Sequence, residues 1–290
     1  VRTACSATNK SPWVYAGKYF TSGHLVREYP HLIDFEDESE ASKWLFAQDN
    51  QTNQWFIGAD TAAMVTDTVA NAGNAMYVSL DGGLSAHYDE TTSSRSWAYR
   101  AFHLEPGTYT VSFDWTCVGE NSKVGVSTTY NDYIRAGFLP TTSTIKGGDY
   151  IVTAKDQTTA RLIASKSPLP TGWIELVDEK ALGVYILNGS NKSKPLADQW
   201  ATQTTTFVVT EETAGDYNIV FQWINNNTKG DYASIRSAVI DNINVVKESC
   251  DMPYNVEIVK IGVHSDDLAW DVVSDTVQSY KVEVKPVKMS

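Results

Sequence analysis

Aromatic side chains carry the chemistry this chain is best equipped to do. It holds 9 Trp and 15 Tyr, and Trp97, Tyr99, Tyr130, Tyr133 and Trp173 stand among polar neighbours. Rings in such surroundings stack on flat ligand faces, as in sandwich lectins that bind sugars, and their N–H and O–H groups find polar partners. Asp114 and Gln222 occupy matching positions on two similar segments, where either side chain can hydrogen-bond a ligand across a sheet face. A second reading stays open beside this one. Large sandwiches fill their cores with aromatics, and Tyr109, Phe113, Trp115, Tyr217, Phe221 and Trp223 have the spacing for that role.

The residues that perform catalysis are not arranged for it. The chain has no H-E-x-x-H, G-x-S-x-G or P-loop pattern. His24, His31, His87, His103 and His264 are scattered without ligand spacing. Cys117 follows a Trp-Thr pair on an expected strand and reads as a small buried apolar residue. Carboxylates are plentiful, so a pair spaced for glycoside hydrolysis is left open. The expectation is a protein that is not an enzyme.

Charge narrows the partners. With 35 acidic against 23 basic residues the net charge is −12, which disfavours nucleic acid, a ligand held by clustered Lys and Arg. No run of eighteen or more apolar residues is present, so no membrane insertion is expected. At 42% apolar residues the chain can bury a substantial core. Cys5, Cys117 and Cys250 fit no zinc or redox motif, and an odd count leaves at least one thiol unpaired.

The elements that would position these residues are strands. Segments rich in Val, Ile, Thr, Tyr, Phe and Trp are broken by Gly, Asn, Asp and Pro. In Tyr109–Trp115 the odd positions are aromatic or Val and the even ones polar. Period two with one apolar side is a sheet packed on a core. The pattern G-x-Y-x-[VI]-x-F-x-W occurs twice, from Gly107 to Trp115 and from Gly215 to Trp223. An apolar strand ends near Phe102 before the first copy and near Phe207 before the second, so each copy reads as a hairpin. The two hairpins are expected to supply equivalent inner strands to the two sheets of one sandwich. A short helix or turn is expected within Asp37–Phe46, and a long polar insertion over 141–172.

In their order, several segments resemble the MAM-like jelly-roll domains of Bacteroidota surface proteins, the cleaved-adhesin or choice-of-anchor J type. They are Ile33-Asp34-Phe35-Glu36 with Trp44, Asn53-Gln-Trp55-Phe-Ile-Gly58, Tyr99-Arg100 before Pro106-Gly107-Thr-Tyr109, Phe113-Asp-Trp115 with Gly119-Glu120, and Ala238-Val-Ile-Asp241-Asn242-Ile-Asn-Val245. The ends resemble parts of fibronectin type III domains: Val1–Cys5 with Ser11-Pro-Trp13, then Cys250–Pro253, Leu268-Ala-Trp270 and Tyr280–Val284.

The resemblance implies an all-β fold: a jelly-roll β-sandwich of two antiparallel sheets over 32–248. Partial fibronectin type III strands would lie at 1–24, about two of them, and at 250–290, about three (Asn255–Ile261, Asp267–Trp270 and Ser279–Val284), cut from a longer surface protein. It implies a structural Ca²⁺ held by Glu36 and Asp241, two distant carboxylates that with backbone carbonyls would supply hard oxygens and pin the chain ends together. The other reading of Asp34, Glu36, Asp37, Glu38 and Glu40 is a solvated acidic run. It further implies a secreted or outer-membrane-associated adhesion module whose partners are a glycan or a surface protein and the neighbouring domains. A structural spacer and an accessory domain of a larger secreted hydrolase or protease are the alternatives. Cys5 and Cys250 would have lost native partners or would pair together. Asp60-Thr-Ala62, Asp67-Thr-Val69 and Asp275-Thr-Val277 look like the O-glycosylation acceptor of Bacteroidota.

Overall fold

The computed structural model describes residues 25–59, 73–117, 121–124, 127–130, 132–149, 170–177, 200–225, 237–250, 252–261 and 266–272. Residues 1–24, Cys5, the three acceptor-like motifs and the strand expected at 279–284 lie outside them.

Strands are β1 (His31–Ile33), β2 (Leu45–Ala47), β3 (Gln54–Ala59), β4 (Asn74–Ser79), β5 (Ser94–Leu104), β6 (Gly107–Thr116), β7 (Asn121–Val124), β8 (Ser127–Tyr130), β9 (Tyr133–Pro140) and β10 (Ile174–Glu175). They continue with β11 (Ala201–Val209), β12 (Gly215–Asn225), β13 (Val239–Lys247), β14 (Tyr254–Ile261) and β15 (Asp266–Asp271). Two antiparallel sheets form the sandwich. One runs β11-β6-β13-β4-β3 with β1 also on β13, and the other runs β10-β9-β12-β5-β2. This is an all-β jelly-roll sandwich.

Its core forms where the apolar sides of the two repeated strands meet. Phe113 of β6 and Phe221 of β12 are both fully buried and touch edge to face, with ring centroids 5.1 Å apart. Tyr88 meets Trp223 at 5.1 Å, and Phe102 meets Phe138 at 5.9 Å. Edge-to-face pairs of this kind add about 0.5–1.5 kcal/mol beyond the area they bury.

The two copies do supply equivalent strands to opposite sheets, yet neither copy is a hairpin. β5 pairs with β12, setting Phe102 opposite Tyr217, and β11 pairs with β6, setting Phe207 opposite Tyr109. Each strand that precedes a copy therefore crosses to the other sheet. The repeated G-x-Y explains the turn. Gly107 and Gly215 take φ of 149° and 157°, a region that side chains other than hydrogen rarely enter. Tyr109 Oη accepts from the Glu105 N–H at 3.0 Å, and Tyr217 Oη donates to the Thr213 carbonyl at 2.6 Å. Each tyrosine thus ties down the arch four residues upstream of itself.

The helix expected within Asp37–Phe46 is a single turn, α1 (Glu38–Ala41), capped by the Asp37 side chain on the Ser39 N–H at 2.8 Å. Leu45 and Phe46 belong to strand β2 instead, because they pair with Tyr99 and Ala98. Of the three strands expected beyond Cys250, the first two segments form the β14–β15 hairpin. The acidic run is only partly solvated. Glu40 is buried against Arg100, itself 3% exposed, with Nε to Oε1 at 2.8 Å. Lys43 Nζ lies at 3.0 Å and His31 Nε2 at 3.7 Å. Burial by itself would raise the Glu40 carboxyl, but its contacts with His31, Arg100 and Lys43 prevail and hold it at about 2.

Because this value lies below the 4.5 of a free carboxyl, the pair's contribution is complete above pH 5 and lost as pH falls toward 2. It amounts to roughly 3 kcal/mol. In urea unfolding at stepped pH, Glu40→Gln will be less stable than wild type at pH 7, and the gap will close by pH 2. A constant gap across that range would show that the ion pair does not carry the stability.

Candidate functional site

Two constellations arise, one at each sheet. The first depends on how β13 is paired. Val239 and Ile240 face β4, while Ile243 to Val245 face β1. Between the two partners the ladder with β6 shifts register just after Asp241, which still pairs with Asp114, and Asn242 takes φ of 50°. Asn tolerates this left-handed conformation better than most residues. The break points Asp241 into a buried position, 6% exposed, near the residues that follow β1.

Glu36 leaves β1 and accepts from Asn74 N–H at 2.5 Å and from Asn74 Nδ2 at 3.3 Å. Asp114 of β6 accepts from Thr202 Oγ1 at 2.5 Å and from Asn242 Nδ2 at 2.9 Å. Asp34 accepts from the Glu36 N–H at 3.1 Å. Among the described residues Asp241 has one donor, the Asn242 N–H at 2.7 Å, and no Lys or Arg partner. Burial pushes its carboxyl up to about 7; the Asn242 N–H opposes this, and the charges of Asp114, Asp34 and Glu36 add to it. The structure thus sets Glu36 and Asp241 in one electrostatic neighbourhood. Its donors are all oxygen, the type a hard cation takes. Among the described residues no group of three or more His, Cys, Asp or Glu side chains stands together closely enough to hold a metal ion.

The second constellation is the outer face of the five-stranded sheet. Residues directly opposite one another share a face, so register defines its rows. Trp97 (β5), Gln222 (β12) and Arg135 (β9) form one row. Tyr99, Val220, Gly137 and Glu175 form the next, followed by Ala101, Asn218 and Leu139. Trp173 lies flat on Gly137, where an added Cβ would fall 2.1 Å from the indole. Arg135 Nη2 donates to Glu175 Oε2 at 2.6 Å, and Trp173 Nε1 donates to the same oxygen at 3.2 Å. Burial raises the Glu175 carboxyl above its usual range, although the Arg135 charge opposes this. Among the described residues, Trp97 Nε1, Arg135 Nε, Glu175 Oε1 and Asn218 Oδ1 of this face are buried without a hydrogen-bond partner.

The expected ligand residues are therefore distributed unevenly. Trp97, Tyr99 and Trp173 come together on one face, and Tyr133 holds a position on the same side of β9, although its side chain lies outside those described. Tyr130 is on β8, its side chain likewise outside. Trp97 and Tyr99 do not present open rings: they are 4% and 2% exposed, because the chain after β9 packs over them through Ile145. Asp114 and Gln222 do not share a face. Asp114 belongs to the acidic constellation on the other sheet, while Gln222 Nε2 donates to the Asp149 carbonyl at 2.6 Å. Sequence reasoning passed over Arg135, Glu175 and Asn218. The alternation Tyr133-Ile-Arg135-Ala-Gly137 held the signal, a charged residue within an apolar strand.

The histidines assemble no catalytic group among the described residues. His103 pairs with Asp216 at 2.6 Å, and His31 faces Glu40. His87 Nδ1 lies 3.0 Å from Ser85 Oγ, but that hydroxyl donates to Asp81 Oδ2 at 2.6 Å, so its proton is directed away from the imidazole. Cys117 is buried and Cys250 is exposed.

No protein-family model matches the chain, and no curated protein is similar to it. Solved structures that resemble it include the K2 cleaved adhesin domain of Lys-gingipain (Kgp) from Porphyromonas gingivalis, at TM-score 0.34 and 12% identity, covering 76% of this chain and 99% of that one. The CBM22-2 xylan-binding domain of Paenibacillus barcinonensis Xyn10C has TM-score 0.34 and 10% identity, covering 75% and 99%. The enzymatically active domain of bacteriophage CBA120 tailspike protein 4 has TM-score 0.35 and 10% identity; 74% of this chain matches, spanning 20% of the tailspike chain. These likenesses are distant, and the description of the fold rests on strand pairing. Among the described residues no helix is long and apolar enough to cross a membrane.

Asp241 yields a prediction of unusual sign. Its folded value near 7 lies above the free value of 3.8. In chelator, stability will therefore fall as pH rises from 4 to 7, by at most about 1.4 kcal/mol per pH unit. Asp241→Asn will remove that slope in thermal melts taken at stepped pH. An unchanged slope in the variant would place the proton elsewhere.

Proposed function

We propose that this chain is a non-catalytic extracellular binding module of a multidomain surface protein, and that its ligand is a glycan held on the outer face of the five-stranded sheet. One observation carries the reading. Among the described residues two donors, Trp97 Nε1 and Arg135 Nε, and two acceptors, Glu175 Oε1 and Asn218 Oδ1, are buried without partners beside the rings of Trp97, Tyr99 and Trp173. Leaving such groups unpaired costs about 1–3 kcal/mol each, so a ligand that both donates and accepts is favoured. A sugar hydroxyl does both at one atom, and its apolar face suits an indole.

Calcium is the second part of the proposal. Asp241 and Glu36 would hold it with backbone carbonyl oxygens, and its charge would offset the burial and the repulsion that now raise Asp241. Bound there, it would fasten the break in β13 to the chain leaving β1. The place of the module in a longer protein is supported by the β14–β15 hairpin, which exposes Val256 and Ile258 at 59% each.

A structural spacer is the second reading. Among the residues whose side chains are described, no Trp, Tyr or Phe is exposed, which favours this reading. A glycan array separates the two. Wild type will retain a glycan, and Trp97→Phe, which keeps a ring but deletes the N–H, will weaken binding about tenfold. The variant also removes buried indole volume, so its melting temperature will fall, and binding is compared at a temperature where both proteins are folded. No retention by wild type would leave the spacer reading, and equal binding by both proteins would remove Trp97 Nε1 from the site. Added Ca²⁺ will raise the wild-type melting temperature but not that of Asp241→Asn; no response in either would end the calcium proposal.

A further inference from the structure

One stretch of chain, residues 141–149, covers the aromatic layer of the five-stranded sheet. It starts beside one end of β12, where the Thr141 N–H donates to the Asp216 carbonyl at 3.0 Å. It finishes at the other end, where the Gly148 N–H donates to the Arg95 carbonyl at 3.0 Å and Asp149 accepts from Gln222. None of its residues is buried, although Trp97, Tyr99 and Val220 beneath it are. Ile145 is its one apolar side chain and its contact with that layer.

The remaining attachments are weak or local. Arg95 Nη1 reaches the Gly148 carbonyl at 3.4 Å, and two turns, Ser143 on Pro140 and Asp149 on Lys146, lie within the segment or at its start. Gly147 rests on the β2–β3 connection so closely that an added Cβ would fall 2.0 Å from the Gln48 carbonyl oxygen. Segments with few buried apolar contacts and solvent-reachable hydrogen bonds open locally, at far lower free energy than the sheets they cover.

We infer that residues 141–149 form a gate over the ligand face, with Ile145 as its plug. This rests on the reading of that face as the glycan site. A ligand reaches the aromatic layer around Trp97 and Tyr99 only after Ile145 lifts, so the open fraction of the gate scales the apparent affinity. The gate also explains how a ligand face can be closed when empty: the strap shields the rings from water until a ligand replaces Ile145.

Residue-resolved native-state hydrogen exchange on the full chain tests the opening. The Gly148 N–H will exchange about 100-fold or more faster than the Val220 and Phe221 amides of β12, as expected of a local unit. Ile145→Ala will speed exchange at Gly148 and leave β12 unchanged. It will also speed association with the glycan best retained on the array by about tenfold, because a tenfold larger open fraction is a tenfold larger competent population. Gly148 exchanging in step with Val220 would overturn the gate, as would a faster Gly148 amide with unchanged association. Binding of no glycan by either protein would overturn the ligand face and the gate with it, while the exchange data would still report whether the strap opens.

Discussion

Strand β13 has to satisfy one edge with two partners. Its other edge pairs with β6 along most of its length, but β4 covers only Val239 and Ile240, and β1 takes over at Ile243. A buried strand cannot leave its N–H and C=O groups unpaired, so the change of partner is confined to two residues, Asp241 and Asn242. Closure of the sandwich depends on this break, because it is where the first strand of the jelly roll joins the last. The same break sets a carboxylate in a buried position near Asp34, Glu36 and Asp114. The acidic constellation is therefore a product of how the fold closes.

The five-stranded sheet is buried on both faces, whereas antiparallel sheets commonly leave one face to water. Its inner face carries Phe221 and Trp223 into the common core, and its outer face carries Trp97, Tyr99 and Val220 under the strap. β12 accordingly reads as an almost continuous buried run from Tyr217 to Asn225, whereas β6 alternates from Tyr109 to Trp115. The two copies of one motif differ because only one is covered twice. That second covering turns polar residues such as Arg135, Asn218 and Gln222 into interior groups. Gln222 is satisfied through Asp149, and Glu175 meets Arg135 at one oxygen only, leaving its other oxygen and the Arg135 Nε unpaired.

Beyond the sandwich, β14 and β15 pair only with each other among the described residues. A two-stranded ribbon is marginal alone, and this one shows Val256, Ile258, Val259 and Leu268 to solvent. Just ahead of it, the Met252 N–H donates to Thr108 Oγ1 of the sandwich at 2.7 Å.

The period-two pattern around Phe113 and Phe221 was enough to establish strands, a sandwich and the inner residues of both repeated copies, since alternation follows directly from the pleat. The arch that follows each preceding strand was also written locally, in the Gly and Tyr of the repeated motif, though it was read as a hairpin. Which strands pair was not written there. Phe102 and Phe207 each precede a copy, and local alternation fits a hairpin as well as a crossover, because both bury the same face. Only packing of two complete sheets selects the swapped partners. Exposure of Trp97 and Tyr99 was equally undecidable from their polar neighbours, since it depends on a strap more than forty positions away in the chain. Glu36 and Asp241 lie still farther apart in sequence; chain closure through β1 and β13 brings their charges together, while composition alone shows them as two acids among many.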